Sequence, residues 1–135
     1  MKRYRHQVNL TLDYLLGRVD VEKGYFEGGV VDPQFLDELV IWVDQEEQYD
    51  FEGDTFVATG VNQIHIGGTA RSLFAMGRYL IALSMYASPN PNYHDHLEGL
   101  NVVEGKEPCT IITHLPIDAK AETAANQAIQ PESKQ

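Results

Sequence analysis

The stretch "PNYHDHLEGL", residues 91–100, gathers two histidines, two carboxylates and a tyrosine within ten residues. On an extended segment His94 and His96 would project to one side with Asp95 directed away, the arrangement by which two imidazoles of one strand ligate a metal ion. Glu98, His65 or His114 would supply the third ligand. In the competing reading the imidazoles hydrogen-bond to backbone and to Asp95 or Glu98. "YHDHLEG" is then a shaped loop beside a helix, structural first and interfacial second.

Two histidines at this spacing are a weak metal signal by themselves. The cupin and metallo-β-lactamase frames that use such pairs need many more strands, or distant further ligands, than this chain supplies. The remaining reactive groups point away from catalysis. Cys109, the only cysteine, lies in the apolar run "CTIITHL" and reads as a small buried hydrophobe, with no intramolecular disulfide possible. "NQIHIGGTARS" sets a Gly-Gly pair before a helix start, where free backbone N–H groups can hold an anion. It lacks the lysine of a phosphate loop and the third glycine of a dinucleotide fingerprint, so it also reads as a plain strand-to-helix turn. Arg71 in that first turn opposes the helix dipole, which implies a partner or an acidic neighbour. No serine occupies a nucleophile elbow and no carboxylate pair argues for a raised pKa. The expectation is a protein that is not an enzyme and carries no cofactor or metal.

Charge says more about partners. The 135 residues carry a formal charge of −10, and between Asp20 and Asp54 twelve acidic residues face one basic residue, Lys23, so that this segment alone holds −11. Such a field repels nucleic acid and anionic membrane surfaces and speeds encounter with a basic protein. The longest apolar-rich run, around residues 73–87, is interrupted by Gly77, Arg78 and Ser84 and falls short of the roughly 18 residues of a membrane span. The basic start "MKRYRHQVNLTLDYLL" is interrupted by Gln7, Asn9, Thr11 and Asp13 and does not read as a secretion signal. A soluble, cytoplasmic protein is expected, in a reducing compartment.

Val8, Leu10 and Leu12 alternate with polar neighbours from His6 to Tyr14, a strand pattern, and Val19, Val21 and Tyr25 continue it after a turn near Gly17. "FEGGVVDP" is a loop. "ELVIWV", residues 38–43, reads as a central strand buried on both faces. "DQEEQYDFEGD" is a polar, hairpin-like connection turning at Gly53, and Thr55–Ile66 is strand again with a bulge or break at Gly60. Thr69 then caps one long helix, about Ala70–Ala87. Ala70, Leu73, Phe74, Gly77, Leu80, Ile81 and Ser84 share its apolar face, and Arg71, Ser72 and Arg78 take the other. Gly77 in mid-helix costs about 1 kcal/mol relative to alanine, which predicts a close approach of helix to sheet there. "SPNPN" ends the helix, and "CTIITHL" supplies a last strand. The whole is an α+β domain, a largely antiparallel sheet with one long helix packed on one face. It spans residues 1–116 as a single domain, followed by a flexible polar tail over 117–135.

The segment Ile64–Leu115, with its Gly-containing turn, its helix pattern "LFAMGRYLIALS", its "YHDHLEG" segment and its closing apolar strand, resembles the immunity protein 32 family of bacterial polymorphic toxin systems. The resemblance covers about fifty residues and leaves the acidic first half unmatched. It implies a non-catalytic protein that binds and neutralises a toxin made by the same cell, with His94, Asp95 and His96 in the family's histidine segment. Nuclease toxins are basic because they bind phosphates, so the −11 segment would steer this chain toward one. Asp44, Glu46, Glu47, Asp50, Glu52 and Asp54, interleaved with Tyr49 and Phe51, are the leading contact residues, since aromatics among carboxylates suit an interface core within a charged rim. A small metal-binding protein or metal-dependent enzyme built on His94 and His96 is the rival class. Oligomeric state is not legible.

Overall fold

The structure, a computed structural model, describes residues 1–15, 19–20, 25–26, 28–88 and 90–118. Their order is β1 (Tyr14–Leu15), β2 (Val19–Asp20), β3 (Tyr25–Phe26), β4 (Gly29–Val30), β5 (Leu39–Asp50), β6 (Thr55–Gly68), α1 (Ala70–Ser84), β7 (His94–Leu97), β8 (Leu100–Asn101) and β9 (Ile111–His114). This is an α+β chain with one helix of any length among the described residues. Its strands form four small sheets: β1 with β4, β2 with β3, the order β6-β5-β8, and β7 with β9. All pair antiparallel except β5 with β8, which is parallel. The turn expected near Gly17 and the tail from residue 119 on lie outside the described residues. No described helix is long and apolar enough to cross a membrane.

The chain groups into two compact units. One takes Met1–Asp32, Gly77–Tyr93 and the residues from Leu115 on; the other takes Pro33–Met76 and His94–His114. In the first, the strand expected over His6–Tyr14 is not formed. Among the described residues pairing begins at Tyr14, opposite Val30, and Val8 stays exposed. The unit is instead organised by tyrosines. Tyr14 Oη donates to the Ala82 carbonyl at 2.9 Å, its ring stacks on Tyr86, and Tyr86 leans on Tyr93 with centroids 5.0 Å apart. Tyr93 Oη accepts from the buried Val30 N–H at 3.0 Å. Gly29, at φ +142°, lies so close beneath that ring that a Cβ there would come within 2.7 Å of Tyr93 Cε2.

The second unit is built on the β5–β6 hairpin. Leu39 and Ile41 are buried together with Phe35 and Leu97, while Val43 and everything beyond toward the turn is half-buried or exposed. The strand expected over residues 38–43 is therefore the root of a longer one. The polar segment read as a connection is strand as far as Asp50, and the turn occupies residues 51–54. There the residue in left-handed conformation is Asp54, at φ 50°, rather than Gly53. A ribbon bathed on both sides by water can be polar on both sides, and so polarity hid a strand. The bulge expected at Gly60 is present. Pairing runs from Gln45↔Asn62 to Glu47↔Ala58, and Gly60 adopts φ +85° within the extra residues.

Thr69 caps α1 as its position suggests: its hydroxyl accepts the Ser72 N–H at 3.1 Å and its carbonyl the Leu73 N–H at 3.0 Å. The helix ends at Ser84, three residues earlier than the sequence pattern implied, in a tighter turn where Met85 and Tyr86 donate to the Ala82 and Leu83 carbonyls. Its orientation is the main departure from expectation. The buried side carries Ser72, Tyr79, Ala82 and Leu83, and the apolar stripe of Leu73, Phe74, Leu80 and Ile81 is exposed. Ser72, 1 % exposed, is what lets the first turn approach β5: its hydroxyl donates to the Glu38 carbonyl, and it lies against Gly68. A larger side chain would not fit. Among the described residues the close approach expected at Gly77 is absent, since a Cβ built there meets none of their atoms within 4 Å.

Candidate functional site

The acidic residues singled out in the sequence gather along the outer half of the β5–β6 hairpin. The four-residue turn sets Asp50 opposite Thr55 and Tyr49 opposite Phe56. Cross-strand neighbours on one face of an antiparallel pair touch, and here they build an aromatic trio. Tyr49 meets Phe51 edge-on with centroids 4.8 Å apart and Phe56 edge-on at 5.4 Å. Tyr49 is half-buried at the centre, whereas Phe51 is 87 % and Phe56 65 % exposed. An open concavity of about 640 Å³ runs along this end of the ribbon, with Tyr49, Phe51 and Val57 among its apolar lining and Asp50 and Glu52 among its carboxylates.

The carboxylates divide by what they hold. Asp54 accepts a hydrogen bond from Tyr49 Oη, and Asp50 Oδ1 accepts the Glu52 N–H at 3.1 Å, so both shape the turn. Asp44 lies 3.0 Å from His65 Nε2, and that imidazole stacks flat on Trp42 with centroids 4.7 Å apart. Asp44 thus fixes the ribbon's middle. The carboxylates of Glu46, Glu47 and Glu52 engage no hydrogen bond or ion pair within the described residues, and their charge is free to face a partner. The sequence reading missed Phe56 and Val57, which lie beyond the acidic run. Counting back across the turn from Tyr49 would have found Phe56.

His94, Asp95 and His96 are not a loop. They open β7, which pairs with β9 in the register His94↔His114 and His96↔Ile112. Alternation fixes the sides: His94, His96, Ile112 and His114 are exposed, and Asp95, Leu97, Ile111 and Thr113 turn inward. Reading these residues as a loop failed because only the partner strand, many residues later, discloses the pairing. Three imidazoles share the exposed face, His94 in ring contact with His96 at 5.1 Å and with His114 at 5.9 Å. Among the described residues no group of three or more His, Cys, Asp and Glu side chains is placed to hold a metal ion. This face and the hairpin tip belong to different sheets.

At the start of α1 the side chains that could hold an anion are engaged internally. Glu38 accepts from Thr69 Oγ1 at 2.9 Å and is gripped by Arg71, Nη2 to Oε1 at 2.7 Å and Nε to Oε2 at 3.1 Å. Arg71 and Thr69 together hold the Glu38 carboxyl below its ordinary value. The acidic neighbour that Arg71 implied is therefore Glu38. Cys109 is half-buried, its thiol 3.6 Å from the Ile41 carbonyl. No family model, curated protein or solved structure matches the chain.

Proposed function

We propose that the chain is a non-catalytic immunity protein that binds and neutralises a basic, nuclease-type toxin, with the outer half of the β5–β6 hairpin as its contact surface. What supports the reading is the hairpin tip itself. Phe51 and Phe56 stand largely in water, packed edge-on against Tyr49, at the end of a ribbon that also carries Glu46, Glu47, Asp50 and Glu52. Exposed large aromatics held in fixed positions are poor solvated surface and good interface anchors, because their burial costs little conformational entropy. The unengaged carboxylates of Glu46, Glu47 and Glu52 attract a basic protein over long range and repel nucleic acid. A nuclease surface evolved to hold phosphates offers the matching charge, and the toxin-neutralising class is the one that the sequence resemblance of residues 64–115 implies.

The test is twofold. Native mass spectrometry of the chain purified gently from its own host cells should find a stoichiometric basic polypeptide, and expression of that polypeptide alone should arrest growth that co-expression of this chain restores. A chain that carries a stoichiometric transition metal and no protein would overturn the proposal in favour of the histidine face. A bound protein indifferent to Phe51→Ala would remove the hairpin from it.

A further inference from the structure

We infer that the exposed face of α1 is an isologous contact between two copies of this chain, the two helices running antiparallel and crossing at Gly77. The face is set by helical period alone. Ala70, Leu73, Phe74, Gly77, Leu80, Ile81 and Ser84 fall within one stripe, and all seven are exposed, Leu73 by 45 %, Phe74 by 52 %, Leu80 by 44 % and Ile81 by 44 %. Four large apolar side chains presented together on one helix are more than scattered surface hydrophobes.

Three features of this stripe specify a second copy as what covers it. First, its sequence is symmetric about Gly77: three residues to either side stand Phe74 and Leu80, four residues Leu73 and Ile81, seven residues Ala70 and Ser84. A two-fold axis through Gly77, perpendicular to the helix, brings Phe74 of one copy to Leu80 of the other and Leu73 to Ile81, large against large, with small residues at the crossing and at both ends. Isologous contacts have this self-complementary form. Second, Gly77 has no use among the described residues. It lies in mid-helix at ordinary backbone angles with none of their atoms within 4 Å of where its Cβ would be, so no described neighbour calls for a residue that weakens a helix. Close passage of a second backbone at that point does. Third, charge lets two chains of −10 meet here, for α1 lies in a stretch with no carboxylate between Asp54 and Asp95. Of the two charges on α1, Arg71 is tied to Glu38, and Arg78 lies about a quarter turn off the stripe.

One helix face is a small contact, below the roughly 1,200 Å² total of standard interfaces, so the dimer should dissociate in the micromolar range. Sedimentation velocity of the full chain from about 1 µM to 1 mM should show a monomer–dimer equilibrium. Gly77→Leu, whose side chain enters open space in the single chain but blocks the crossing, should weaken it at least tenfold, and so should Leu80→Glu. Both variants should keep a wild-type circular dichroism spectrum, Gly77→Leu melting no lower than wild type. In a Cys109→Ser background, Gly77→Cys should oxidise readily to a disulfide-linked dimer, because the crossing brings the two Cα atoms within the about 7 Å that a disulfide spans. A wild type monomeric over the whole range, or a dimer that persists undiminished in both Gly77→Leu and Leu80→Glu, would overturn the inference. Charge reversal on the β5–β6 hairpin should leave this equilibrium unchanged, which separates it from the proposed toxin contact.

Discussion

Arg71 and Glu38 meet as a two-pronged ion pair across the start of the helix, guanidinium Nη2 to Oε1 at 2.7 Å and Nε to Oε2 at 3.1 Å, with Thr69 Oγ1 donating to the same carboxylate. One carboxylate therefore ties the root of β5 to the cap of α1. The Glu38 carboxyl is held below its ordinary value of 4.5 by these partners. A depressed folded-state value means that the stabilisation is fully present above pH 4.5 and is lost as pH falls through the lower folded value. Urea unfolding of wild type and Glu38→Gln as a function of pH should give curves offset by a constant amount at neutral pH that converge in acid. An offset that persists unchanged to acid pH would place the effect elsewhere.

Gly68→Ala should be among the more damaging single substitutions. At φ +152° the added Cβ would be strained, and it would run into Ser72 Oγ and the Glu38 backbone. A loss of about 1–3 kcal/mol is expected in urea denaturation, as for backbone positions that reject a side chain. Gly77→Ala, in open space, should instead gain up to about 1 kcal/mol in dilute solution.

Tyr93→Phe removes the acceptor of the buried Val30 N–H while leaving the ring beneath which Gly29 is packed. An orphaned buried donor costs about 1–3 kcal/mol, and the denaturation midpoint should fall accordingly. Unchanged stability would mean that water reaches Val30.

Phe51→Ala should separate binding from folding. The side chain is almost fully exposed, so stability should change by no more than about 0.5 kcal/mol. Affinity for the protein partner, measured by calorimetry, should fall by about 2 kcal/mol or more if Phe51 is an anchor.

What the sequence disclosed was local. The Thr69 cap, the start of α1 and the bulge at Gly60 depend on neighbours within a few residues, and each is where the pattern put it. The side on which α1 buries was not legible, because periodicity groups Leu73, Phe74, Leu80 and Ile81 on one stripe without saying what faces it. Small Ser72 and Ala82, with Tyr79 and Leu83, make the buried side, where the first turn can come down onto Glu38 and Gly68. The histidine segment was misread as a loop for a related reason: β7 is a strand only because Ile111–His114 lies beside it. At the acidic hairpin, residue types identified the candidate contact but not its aromatic partner Phe56, which the turn delivers from the opposite strand.

The free carboxylates of the hairpin are proposed to draw in a basic protein. Stopped-flow association of the co-purified partner with wild type and with the double variant Glu46→Lys/Glu47→Lys, over a range of ionic strength, tests this attraction. Association of the wild type should be fast and should fall steeply with salt, and the variant should associate about tenfold more slowly at low salt with a much flatter dependence. Equal rates and equal salt slopes for the two proteins would rule out steering by the hairpin.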